Sequence, residues 1–172
     1  MERGIDFIKS QVNNAVMQHQ TFLDALKDHE DQAEDLRFRD LCARFIPEAA
    51  QHQQMLEDYQ REIDAESGVG KKVLGKVLGV GRDLADRARE SDFLRLVADI
   101  VMARQAEDTF KTFREAGRTL GMARLAEIGE LGERQHDQFV KDANRLAQQM
   151  FVELARGTDS SSTVGAEALP AV

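Results

Sequence analysis

LGMARLAEIGELGERQHDQFVKDANRLAQQMFVELARG, residues 120–157, sets Leu125, Ile128, Gly132, His136, Phe139, Ala143, Leu146, Met150 and Leu154 at intervals of three and four. That period places all nine on one stripe of a long α-helix, and no alternation of period two competes with it. Gly157 closes the pattern as a helix-ending glycine should. Working back toward the N-terminus, the same period recurs three times. Leu96, Ile100, Ala103, Glu107, Phe110 and Arg114 follow Ser91, a suitable N-cap, and Asp92, an acid well placed in a first turn; this helix is read to Gly117, with Gly117 to Gly121 forming a turn. Leu41, Phe45, Ala49, His52, Leu56, Tyr59 and Ile63 mark a helix that stops before Ser67, Gly68 and Gly70. Ile5, Ile8, Val12, Val16, Leu23, Leu26 and Ala33 mark the first. The segment Glu34, Asp35, Leu36 holds no strong turn residue, yet one helix of about sixty residues would far exceed globular norms, so a short turn is expected there.

Composition agrees with helices and narrows the function. The 172 residues include no Trp, one Tyr and two Pro, and no segment reads as a strand. A net charge of -8 argues against nucleic acid, whose binding draws on clustered Lys and Arg. No run of about 18 apolar residues appears, so stable membrane insertion is not expected. The opening Met-Glu-Arg-Gly-Ile-Asp-Phe lacks the basic and apolar regions of a secretory signal, and Cys42, the single cysteine, has no partner for a disulfide; both point to the cytoplasm. Leu41 and Phe45 flank that thiol and predict a buried, inert side chain. Residues about 67–90 carry Gly70, Gly75, Gly79 and Gly81 among Val73, Leu74, Val77, Leu78 and Leu84. They read as a crossover along the outside of a bundle, since they lack the aromatic anchors of a membrane-surface helix. Residues 158–172, rich in Ser, Thr, Gly and Ala, read as a flexible tail, leaving 1–157 as one domain.

Two tight turns and one long middle connection predict an all-α, up-down-down-up four-helix bundle with its crossover between helices 2 and 3. Depth along that bundle follows from counting. With the top set where helix 1 finishes near residue 34, His19 lies about 15 residues down, and His52 lies equally deep on a helix 2 descending from about residue 37. Glu107 is about 16 down on a helix 3 starting near residue 91, and His136 about 17 below the top of a helix 4 running from about 120 to 153. At about 1.5 Å rise per residue the four share one layer. Glu48 stands one turn above His52, and Glu133 three residues before His136, so both carboxylates are placed to join a neighbouring imidazole on a metal. The plainer alternative is a polar core layer that fixes register, its histidines satisfied by Gln or carboxylate and its acids neutralised by Arg104. His29, beside Glu30 near the end of helix 1, reads as a surface or capping residue. Pro47 should either kink helix 2 before Glu48 or mark the first turn of a later-starting helix, and Tyr59 reads as a core or rim phenol.

At Phe-Ile-Pro-Glu-Ala-Ala-Gln-His-Gln-Gln-Met-Leu, 45–56, and at Arg-Gln-Ala-Glu-Asp and Glu-Arg-Gln-His within 104–139, the chain resembles the ferritin-like superfamily, and more closely its small bacterial stress-associated metal-binding members. The resemblance covers about 135 residues, Val12 to Gln149. It implies two iron or manganese ions held by carboxylates and E-x-x-H pairs, with Glu107, Glu133 and His136 at matching positions, and an iron centre reactive toward oxygen or peroxide. The chain departs from that pattern at His19, where a Glu is expected, and at Ala49, the usual ligand position, with Glu48 four residues before His52 instead of three. Those departures make a mononuclear, histidine-rich site for zinc, iron or manganese an equal expectation. The competing function is a non-catalytic helical interaction or stress protein with no metal at all. Homo-oligomerisation suits either, though no interface is legible.

Overall fold

A computed structural model describes residues 3–65 and 91–157; the expected crossover at about 67–90 and the tail at 158–172 lie outside the described residues. The described residues are all-helical, with α1 at Ile5–Gln32, α2 at Leu36–Glu62, α3 at Asp92–Leu120 and α4 at Ala123–Ala155. No strand occurs among the described residues.

The break between α1 and α2 is a three-residue turn. Ala33 is extended, and Asp35 caps α2 by accepting from the Arg37 backbone N–H at 2.8 Å. The backbone N–H groups of Glu34 and Asp35 both donate to Oδ2 of Asp92 at 2.7 Å, so the first residue of α3 ties down the α1–α2 turn. A turn without Gly or Pro is thus built from an Asp N-cap and a carboxylate supplied from far along the chain. Asp92→Ala strips two backbone donors of their charged acceptor and is expected to cost about 2 kcal/mol in urea-induced unfolding.

Ser91 caps α3 as its sequence suggests, accepting from the Leu94 N–H at 3.3 Å. The helix runs past Gly117, the expected end, because Gly117 is buried inside it against Ala126 of α4. The glycine that stops α3 is Gly121, left-handed at φ 70°, with the Met122 N–H returned to the Gly117 carbonyl at 2.8 Å. Pro47 lies exposed inside an unbroken α2, so it does not begin a later helix.

The most extensive pairing is α3 with α4, followed by α1 with α2; α2 also packs on α4, and α1 on α3. At Gly129 an added Cβ would overlap the backbone of Phe110 and Arg114, so α4 meets α3 backbone to backbone. At one end of the molecule the finish of α1 meets the start of α3 through His29 and Asp99, 2.8 Å apart. There the start of α2 also meets the finish of α4 through Arg37 and Glu153, 2.7 Å apart. At the other end Nδ2 of Asn13 donates to the Ala65 carbonyl, 2.7 Å, joining the start of α1 to the chain just past α2.

Apolar side chains form two clusters. One gathers Phe22, Leu26, Phe38, Cys42, Phe139 and Val140; the other gathers Val12, Leu56, Tyr59, Phe110, Leu125 and Ile128. Cys42 is buried as expected, and burial pushes its thiol far above the ordinary range, which keeps it protonated. Tyr59 is buried in the second cluster, as a core phenol. No helix among the described residues is long and apolar enough to cross a membrane.

Candidate metal centre

Between the two clusters lies a polar layer. His19 of α1, His52 of α2 and His136 of α4 are 1%, 0% and 3% exposed, and each offers one donor atom within 4.8 Å of the other two. Their ring centroids stand 4.9, 5.2 and 6.0 Å apart. The remaining helix, α3, contributes Phe110 to this layer, its ring 4.5 Å from His52, 5.1 Å from His136 and 5.8 Å from His19. Phe22 closes the other side, 5.4 Å from His136.

The three carboxylates expected beside these imidazoles are not in the group. Glu107 is partly buried and paired with Arg104 at 3.0 Å, the neutralisation that the plainer reading anticipates. Glu133 is bonded to Arg114, and Glu48 is exposed. The cause is the angle around each helix rather than depth along it. On α3 the inward line is Ala103, Ala106, Phe110 and Phe113, which turns Glu107 aside; on α2 it is Ala49 that faces in beside His52, leaving Glu48 outside.

The hydrogen bonds fix which nitrogen of each ring carries its proton. The Gln53 amide donates to the Glu57 carboxylate at 2.8 Å and to the Val16 carbonyl at 3.4 Å, so its Oε1 is free to accept from Nδ1–H of His19 at 2.9 Å. Nε2–H of His52 donates to the Ile128 carbonyl at 3.1 Å, and Nδ1–H of His136 to the Gly132 carbonyl at 2.7 Å. A neutral imidazole has one donor and one acceptor nitrogen. The remaining nitrogens are therefore lone-pair acceptors: Nε2 of His19, Nδ1 of His52 and Nε2 of His136. The first two face each other at 3.4 Å with no proton to share, and the third has no hydrogen-bond partner among the described residues.

Burial keeps all three rings neutral at pH 7. Desolvation lowers His19 to about 4 against the opposing pull of Gln53, and desolvation reinforced by the neighbouring His19 lowers His52 and His136 to about 3 each. Three neutral imidazoles in one dry layer, each with a free lone pair and each ring held from behind by an amide or backbone carbonyl, suit a cation bound by imidazole. The spacing of one pair fits as well. Two nitrogens at about 2.0–2.1 Å from one ion in tetrahedral arrangement stand about 3.3–3.4 Å apart, and the His19–His52 pair is at 3.4 Å.

Gly132 makes the layer possible. A Cβ there would overlap Cε1 of the His52 ring and the Phe110 ring, and its carbonyl holds His136. Gly132→Ala is expected to cost about 1–3 kcal/mol through overpacking and, by tilting His52, about 10- to 100-fold in metal affinity; calorimetric titration beside urea unfolding separates the two losses.

Two participants escape a reading by stripe. Gln53 sets the His19 tautomer, and the only hint is a Gln following a core His. His29 is no surface cap: Nδ1 pairs at 2.8 Å with Asp99, a carboxylate 0% exposed whose carboxyl burial pushes upward. An Asp among Leu96, Ala98 and Ala103 is the signal, since a buried acid needs a partner. No protein-family model, no curated protein and no solved structure matches this chain.

Proposed function

We propose that this protein is a metal-binding four-helix bundle of ferritin-like, up-down-down-up topology, holding one transition-metal ion on His19, His52 and His136. The topology is supported by the ends that meet: the finish of α1, the start of α2, the start of α3 and the finish of α4 share one end, so α3 begins at the end opposite the one where α2 finishes. The observation that carries the metal reading is the facing pair of ring nitrogens at 3.4 Å, both lone-pair acceptors, with the third unpartnered. A register-setting polar layer without metal gains nothing from acceptors aimed at one another. The same residues favour one ion over two. A dinuclear iron or manganese centre relies on bridging carboxylates, and here Glu107 and Glu133 are taken by arginines while Glu48 faces solvent.

The test is metal content and melting on tag-free protein. Wild type is expected to take about one ion per chain, and at free metal 100 times Kd to gain about 2.7 kcal/mol of stability. His52→Ala should take none and show no metal-dependent gain. Wild type that binds no transition metal, with melting unchanged by any of them, leaves the metal-free polar layer as the answer.

A further inference from the structure

We propose that the ion taken by the three histidines is monovalent, cuprous copper. This rests on the metal-binding reading above and adds to it the charge and coordination number of the ion. The donor set is three neutral imidazoles, and the group contains no carboxylate and no thiolate. The layer is shut in by Phe22 and Phe110, with ligand exposures of 0–3%. The cost of moving an ion from water into such surroundings grows with the square of its charge, so a divalent ion of equal size is penalised about fourfold more than a monovalent one.

Little nearby offsets two positive charges. Glu107 and Glu133 are already matched by Arg104 and Arg114. Among the described residues one carboxylate reaches the ligands through hydrogen bonds: Glu57, which holds the Gln53 amide whose oxygen holds His19. One relayed negative charge suits one positive ion.

Coordination number points the same way. Zinc takes four ligands, cupric copper a tetragonal set, and manganese prefers oxygen donors in greater number. Each would have to bring water or an anion into a space walled by phenyl rings. Cuprous copper, with a filled d shell and a low charge, is satisfied by three nitrogens. The distance itself does not choose, since three nitrogens in a plane around an ion at about 2.0 Å stand about 3.5 Å apart, close to both the tetrahedral value and the 3.4 Å found.

The experiment uses the whole apo protein without air. Cuprous ion is delivered from its bicinchoninate complex, with zinc, ferrous and manganous ions in parallel; stoichiometry, melting temperature and the copper X-ray absorption edge are read. One cuprous ion per chain is expected, with three nitrogen neighbours, bound about 100-fold more tightly than zinc, and lost in His136→Ala. Zinc that matches copper in affinity and in its effect on melting overturns the inference and leaves metal binding standing, as does an absorption edge with a fourth light-atom neighbour. Copper retained by His136→Ala also overturns it. If none of the ions binds, the metal-binding reading fails with it.

Discussion

Metal-free protein taken from pH 7 to pH 5 is expected to lose about 4–6 kcal/mol of stability, comparable to the whole stability of a marginal domain. The sign follows from the three histidines. Each has its folded pKa pushed below the ordinary 6.5, to about 4 for His19 and about 3 for His52 and His136. Their stabilising effect is therefore full above pH 6.5 and is lost as pH falls toward the folded values, because the unfolded chain binds protons that the buried rings refuse. One pH unit of such mismatch is worth about 1.4 kcal/mol for each ring, so the interval from 6.5 to 5 costs about 2 kcal/mol apiece. A single proton placed between Nε2 of His19 and Nδ1 of His52 turns two opposed lone pairs into a hydrogen bond, which holds the total below three full shares. Asp99 works in the opposite direction. Burial raises its carboxyl, so acid relieves a cost there, and Asp99→Asn should steepen the fall. Bound metal demands neutral imidazoles and delays the transition until protons displace it. Melting followed by circular dichroism between pH 8 and pH 4, with and without metal, measures all of this; a metal-free protein equally stable at pH 7 and pH 5 contradicts it.

That His19, His52 and His136 share one layer was legible in the sequence, and the reason is geometric. Rise per residue is a constant of the helix, so depth can be counted from a connector, and His19, His52, Glu107 and His136 all count out level. Rotation is less forgiving. Three residues separate Glu107 from Phe110, and which of them faces inward depends on how α3 is turned against α4, which is settled by the close approach at Gly117 and Gly129. A periodic stripe that admits both residues cannot decide between them. The turn at Ala33–Asp35 was expected from helix length alone, but what holds it was hidden for a related reason: half of its support, Asp92, lies 57 residues away along the chain. Helix existence, by contrast, needed only period and caps, and Ser91 holds α3 through the bond its residue type advertises. The tautomers lay beyond any pattern, since they depend on which carbonyl stands behind each ring.

Phe110→Ala follows from that inward turn and should be the most damaging single truncation near the layer. The ring is 1% exposed and touches all three histidines as well as Phe113. Phe-to-Ala changes in such cores cost about 3–5 kcal/mol, the lost transfer energy plus the cavity left behind. This cavity differs from an apolar one because it opens onto ring nitrogens with free lone pairs, and water enters a void that offers it polar partners. A water donating to Nε2 of His136 satisfies an atom that otherwise has no partner. Hydration of the layer also weakens the desolvation that depresses the three pKa values, so the variant should show a shallower fall in stability on acidification even as its stability at pH 7 drops. The two effects have opposite consequences for the acid midpoint and are separable by urea unfolding at pH 7 and pH 5. The same opening supplies the fourth ligand position that Phe110 denies, so zinc should gain on cuprous ion in the variant. A variant within 1 kcal/mol of wild type at pH 7, well under the cost of an uncompensated core cavity, would show that α4 slides inward to refill the gap and that Phe110 does not keep the layer dry.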